Sequence, residues 1–85
     1  MNTYPVRTAD QLPALLQGFR KAAGLTQAEV AQQMGISQQT LSDLERHAES
    51  VSVGRLMRLL SVLGVELVLQ APDGATREPL AASEW

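Results

Sequence analysis

Residues 27–46 read QAEVAQQMGISQQTLSDLER, and the spacing of apolar and small residues in this stretch decides the fold. Two short helices are expected, one on each side of Gly35. Val30, Met34, Ile36, Leu41 and Leu44 recur at helical intervals and form a buried seam between them. Ala31 falls where the two helices cross, and a larger side chain would hold them apart. Gly35 supplies the positive backbone angle that a tight turn between helices requires. Just upstream, Thr26 and Glu29 stand three apart, the spacing of a capping box in which each side chain satisfies a free backbone N–H of the other. Ser37 is placed to cap the second of the two helices, which should end near Arg46.

With the seam turned inward, Gln38, Gln39, Ser42, Asp43 and Arg46 share the opposite face of that second helix. Their chemistry suits the major groove of DNA. A glutamine amide can donate to and accept from one adenine, serine pairs either way, and aspartate accepts from the cytosine amino group. Base contacts concentrate at the start of such a helix, so Gln38, Gln39, Ser42 and Asp43 are the candidate base readers. Gln27, Ser37, Thr40 and Arg46 suit phosphate contacts, helped by the free N–H groups at the two helix starts. The plain alternative is a solvated surface, since Gln and Ser are common on any helix. Capping box, Ala31, Gly35 and seam together favour the DNA reading.

Outward from this core, the chain reads as a mostly α domain with four helical segments. In the first, Leu12, Leu15, Leu16, Phe19 and Ala23 make one apolar face, and Gly24 is the expected stop. Its start is open: Thr8 with Gln11 makes a capping box that puts Pro13 one turn in, whereas Asp10 as cap leaves Pro13 in the first turn. After a loop at 47–51, Ser52 caps a fourth helix with Val53, Leu56, Leu60 and Leu63 inward and Gly64 as stop. Val65, Leu67 and Leu69 then alternate with Glu66, Val68 and Gln70, a strand pattern over residues 65–71. Continuation of the fourth helix is the other reading, which Gly64 disfavours. A lone strand leaves backbone groups unpaired, so pairing with the same segment of a second copy is expected, giving a homodimer. Residues 72–85 begin with the turn signal Pro72-Asp73-Gly74 and continue as a flexible acidic tail.

The 85 residues suffice for one small domain, and with no cysteine neither a disulfide framework nor a thiolate metal site is available. Net charge is −2, but unevenly placed. Residues 1–64 carry six basic and five acidic side chains, and residues 65–85 carry one basic and four acidic. The body is therefore at +1, and DNA affinity would rest on a few placed contacts. Neither a signal peptide nor a membrane span is legible, so a cytoplasmic protein is expected. His47, the only histidine, falls in the loop, where solvation is the ordinary reading. No phosphate loop, nucleophile elbow or metal-ligand spacing is present, so neither enzyme activity, cofactor nor metal is expected. Arg55 and Arg58 share one side of the fourth helix and suit a protein surface, DNA phosphates or plain solvation.

The segments L-T-Q-A-E-V-A and M-G-I-S-Q-Q-T-L-S-D-L-E closely resemble the phage-repressor helix-turn-helix family. That resemblance implies a compact helical domain of four to five helices with residues 37–46 in the major groove. It also implies that Arg20 and Glu45 pair inside the domain, a structural role. More narrowly, the whole chain, including the first helix L-P-A-L-L-Q-G-F-R-K, V-G-R-L-M-R-L-L-S-V-L-G-V-E-L-V-L and the terminal Glu84-Trp85, is similar to HipB-type antitoxins. These members bind and neutralise a HipA-like serine/threonine kinase toxin and repress their own operon. A dimer of this kind implies a palindromic double-stranded operator, with half-sites about 34–36 Å apart or multiples of that. Trp85 is then either an anchor for a partner pocket or an exposed terminus without a role. A dimeric repressor acting alone, without a toxin, is the alternative.

Overall fold

The computed structural model describes residues 2–72. Four α-helices are present: α1 (Leu12–Ala22), α2 (Gln27–Met34), α3 (Gln38–Arg46) and α4 (Val53–Leu63). Short 3-10 turns at Ala9–Gln11 and Ala48–Ser50 precede α1 and α4. The start left open by the sequence is resolved by the first of these turns. Gln11 folds back so that its Oε1 accepts from the backbone N–H groups of Thr8 at 3.0 Å and Arg7 at 2.7 Å. The α-helix proper begins at Leu12, which leaves Pro13 in its first turn, where a missing N–H costs nothing.

Helix starts and stops follow the local chemistry closely. Thr26 Oγ1 accepts from Glu29 N at 3.1 Å while Glu29 Oε1 accepts from Thr26 N at 2.9 Å, a complete capping box. Ser37 and Ser52 cap α3 and α4 through Thr40 N and Arg55 N, at 3.1 and 3.2 Å. Such caps contribute about 1 kcal/mol each. The helices α1, α2 and α4 end alike. The residue after each terminal glycine sends its N–H five residues back: Leu25 to Arg20, Ile36 to Ala31, Val65 to Leu60. Each of these followers is apolar and packs on the core, completing the hydrophobic contact of a Schellman stop.

The core is one cluster built from Leu16, Val30, Ala31, Met34, Leu41, Leu44, Ala48, Leu59, Leu60 and Leu63. All four helices feed it, and α2 lies against both α3 and α4. The expected seam is present, with Val30, Met34, Leu41 and Leu44 buried and Ile36 packed against them. Burying each such side chain contributes about 1.5–3 kcal/mol. Three sequence expectations need correction. Ala23 is exposed, because α1 ends before it can turn onto the core. Val53 is 65% exposed, and Leu59 is fully buried in its place on the inner face of α4. The loop at 47–51 contains a 3-10 turn whose Ala48 joins the core.

Beyond Gly64 the described chain carries neither helix nor strand. The fourth helix therefore stops where the glycine predicts, with φ +73° at Gly64. Val65 leans on the core, whereas Leu67, Val68 and Leu69 are exposed. At the other end, the N-terminal arm is held against α1 by an edge-to-face contact of Tyr4 with Phe19, ring centres 5.2 Å apart. The expected tail, apart from Pro72, and Trp85 lie outside the described residues.

Candidate nucleic-acid interface

One buried carboxylate ties together the three helices that form the interface. Glu45, near the end of α3, is 0% exposed. Its Oε2 accepts from Arg20 Nε on α1 at 2.7 Å, and its Oε1 accepts from Gln27 Nε2 at the start of α2 at 3.1 Å. Arg20 uses a second nitrogen, Nη1, to reach the carbonyl of Leu25 at 3.1 Å. A charge taken out of water is costly unless paired and hydrogen-bonded, and here both carboxylate oxygens have donors. No buried side-chain N or O among the described residues lacks a partner. The cluster fixes α3 against α1 and α2 at the end opposite the Gly35 turn.

With that end clamped and Leu41 and Leu44 sealed inside, the other face of α3 is open. Gln38, Gln39, Asp43 and Arg46 are exposed, while Ser42 and Thr40 are half-buried at its border. Two bonds along the helix order the row. Gln39 Nε2 donates to Asp43 Oδ1 at 3.2 Å, and Arg46 Nη2 donates to Ser42 Oγ at 3.2 Å. Both are i, i+4 pairs on a surface and break readily for a better partner. Ser37, besides capping the helix, donates its hydroxyl to Thr40 Oγ1 at 2.8 Å. The four candidate base readers and Ser37, Thr40 and Arg46 thus lie along one helix. Gln27 stands apart on α2, half-buried and bonded to Glu45.

At the start of α2, Glu29 titrates below the ordinary carboxylate value. The main cause is the Thr26 backbone N–H donated to its carboxylate, with the Thr26 hydroxyl second. His47 is exposed, and the carboxylate of Asp43 is engaged by Gln39. Arg58, for which the sequence left three uses open, donates from Nη2 to the main-chain oxygen of Met34 at 3.0 Å. Neither this bond nor that of Gln27 to Glu45 has a signal in the sequence. The partners are 24 and 18 residues apart, and no periodicity relates them. Among the described residues, neither a metal-binding group of His, Cys, Asp or Glu nor a helix long and apolar enough to cross a membrane is present.

Comparison with known proteins bears on this geometry. Antitoxin HipB of Escherichia coli O6:H1 is 29% identical over 90 residues, covering 100% of this chain and 93% of that protein. No solved structure matches the chain. A family model described as Helix-turn-helix matches residues 16–70, a span that takes in the buried cluster, the Gly35 turn and the open face of α3. The match covers more than half of the chain, and the chain belongs to the helix-turn-helix family of DNA-binding domains.

Proposed function

We propose that this protein is a dimeric, sequence-specific DNA-binding antitoxin that represses its own operon and neutralises a HipA-like serine/threonine kinase toxin. The observation that carries the DNA part is the open face of α3, with its back sealed in the core and its far end clamped through Glu45. Gln38, Gln39, Ser42 and Asp43 read base edges in the major groove, and Ser37, Thr40, Arg46 and Gln27 hold phosphates. The pairs Gln39–Asp43 and Ser42–Arg46 open on binding, which frees each side chain for the duplex.

The antitoxin part rests on the likeness to Antitoxin HipB, which covers all of this chain and 93% of that protein. Dimerisation rests on residues 65–70, where Leu67, Val68 and Leu69 are exposed next to a backbone with no ladder partner among the described residues. Pairing of Val65, Leu67 and Leu69 with the same segment of a second copy covers this apolar surface and places two α3 helices on a palindromic operator. Trp85 serves as an anchor for the kinase, since tryptophan is enriched among binding hot spots. The protein acts in the cytoplasm and without a cofactor or catalysis of its own.

A dimeric repressor acting alone is the second reading, favoured by the fact that the matched family span, residues 16–70, contains the DNA-binding part and stops short of the tail. Purification of the chain from its native host separates the two: a co-purifying kinase supports the antitoxin, and its absence supports the lone repressor. For DNA, Gln38→Ala is expected to cost about 1–3 kcal/mol on the cognate operator and to relax preference at one base position. Equal losses on cognate and random duplexes would refute the assignment of α3 as the reading helix.

A further inference from the structure

Glu45 is bonded both to Arg20 and to Gln27 at the start of α2. We propose that Glu45 is a positioning residue for DNA binding, which it serves by fixing the amide of Gln27 in one orientation. This inference rests on the DNA reading above.

A glutamine amide presents a donor and an acceptor of nearly the same shape, and on an open surface it turns freely between them. At Gln27 that freedom is removed. Glu45 Oε1, on a carboxylate that is fully buried, takes one N–H of Gln27 Nε2 at 3.1 Å. Glu45 Oε2 is engaged separately, by Arg20 at 2.7 Å, so the two oxygens serve different partners and Oε1 is left to Gln27. Turning the Gln27 amide over would set its carbonyl oxygen against a carboxylate oxygen, acceptor facing acceptor, inside the protein. The amide is therefore locked with nitrogen inward, and its second N–H remains to be donated.

Gln27 is the first residue of α2, where the capping box takes the N–H groups of Thr26 and Glu29 and those of Gln27 and Ala28 have no partner within the helix. A phosphate oxygen is a pure acceptor and fits such a donor set, whereas a freely turning amide would present its oxygen part of the time. Glu45 never touches the duplex in this scheme. It acts through Gln27, which separates its role from that of Arg20, whose bonds go to Glu45 Oε2 and Leu25.

The test uses the full chain and three variants, Glu45→Gln, Arg20→Gln and Gln27→Ala, with the Glu45→Gln/Gln27→Ala double variant. Binding is measured to a duplex of about 30 base pairs of random sequence, because phosphate contacts do not depend on sequence. Each variant is assayed where its circular dichroism shows it folded. Glu45→Gln offers Gln27 either a donor or an acceptor and should weaken binding roughly three- to tenfold, the size of one lost hydrogen bond. Arg20→Gln destabilises the fold but should leave affinity within about twofold, since the bond to Gln27 remains. In the Gln27→Ala background, Glu45→Gln should have no further effect on affinity. The side-chain amide protons of Gln27 give an independent NMR signature. One resonance, shifted by the carboxylate, should persist in Arg20→Gln and vanish in Glu45→Gln.

Equal losses from Glu45→Gln and Arg20→Gln, or an additive double variant, would overturn the proposal. So would a Gln27 amide whose resonances ignore Glu45→Gln. A wild-type chain that binds neither this duplex at low salt nor the DNA upstream of its own gene overturns the DNA reading itself, even with the NMR signature intact.

Discussion

Arg58 on α4 reaches across to the end of α2, where its Nη2 donates to the main-chain oxygen of Met34 at 3.0 Å. The last carbonyls of a helix have no partner within it, and a cation there also meets the negative end of the helix dipole. One side chain thus ties the fourth helix to the α2–α3 turn. Replacement by alanine removes both effects while leaving the apolar core untouched. Arg58→Ala is expected to lower stability by about 1 kcal/mol in urea unfolding, a range typical of a single hydrogen bond. An unchanged midpoint would mean that water serves Met34 equally well.

Glycines at two places should respond to alanine with opposite sign. Gly35 has φ +71°, and no atom would meet an added Cβ within 4 Å, so the cost of Gly35→Ala is conformational alone. About 1–2 kcal/mol of destabilisation is expected. Gly18, in the middle of α1, likewise has open space around its Cβ position but ordinary helical angles. Gly18→Ala should stabilise by roughly 0.5–1 kcal/mol. Thermal unfolding of the two variants checks both, and a stabilised Gly35→Ala would contradict the turn geometry.

The capping box at α2 makes a prediction about pH. Glu29 titrates below its ordinary value of 4.5, because the Thr26 backbone N–H and hydroxyl favour its charged form. A carboxyl with a lowered value in the folded state contributes stability that is fully present above 4.5 and is lost as pH falls through the folded value. The stability difference between wild type and Glu29→Gln should therefore be constant near neutrality and shrink in acid. Parallel unfolding series at neutral and acidic pH measure it. A difference that grew on acidification would reverse the sign and exclude the box as its source.

Residues 65–70 allow dimerisation to be separated from folding. Leu69 is 93% exposed in the single chain, so a lysine there costs the domain itself almost nothing. In a paired ribbon the same lysine faces its symmetry mate or its apolar neighbours. Leu69→Lys should sediment as a monomer with unchanged helical circular dichroism and weaker operator binding. A variant that stays dimeric would place the interface elsewhere on the molecule.

Much of this protein is written locally in its chain. Caps at Thr26, Ser37 and Ser52 and stops at Gly24, Gly35 and Gly64 involve partners at most five residues away, and such chemistry can be read by spacing alone. The seam of Val30, Met34, Leu41 and Leu44 is legible for the same reason, since helical periodicity sorts inner from outer faces. Periodicity blurs where a helix is short or amphipathic only in part. That is why the pattern points Val53 inward and passes over Leu59: which arc of α4 faces the core depends on where α2 lies.

Only the tertiary structure decided what the polar residues near the core do. Arg20 with Glu45 was expected through a family resemblance, but that Gln27 joins them, and that Arg58 serves Met34, follows from the way the helices are docked. Polar groups have several possible partners, and which one is within 3 Å is settled by packing of the apolar seam. The sequence by itself therefore determined the helices, their ends and the buried seam. Docking of those helices determined which amide is held, which guanidinium is occupied and which row of α3 is left facing outward.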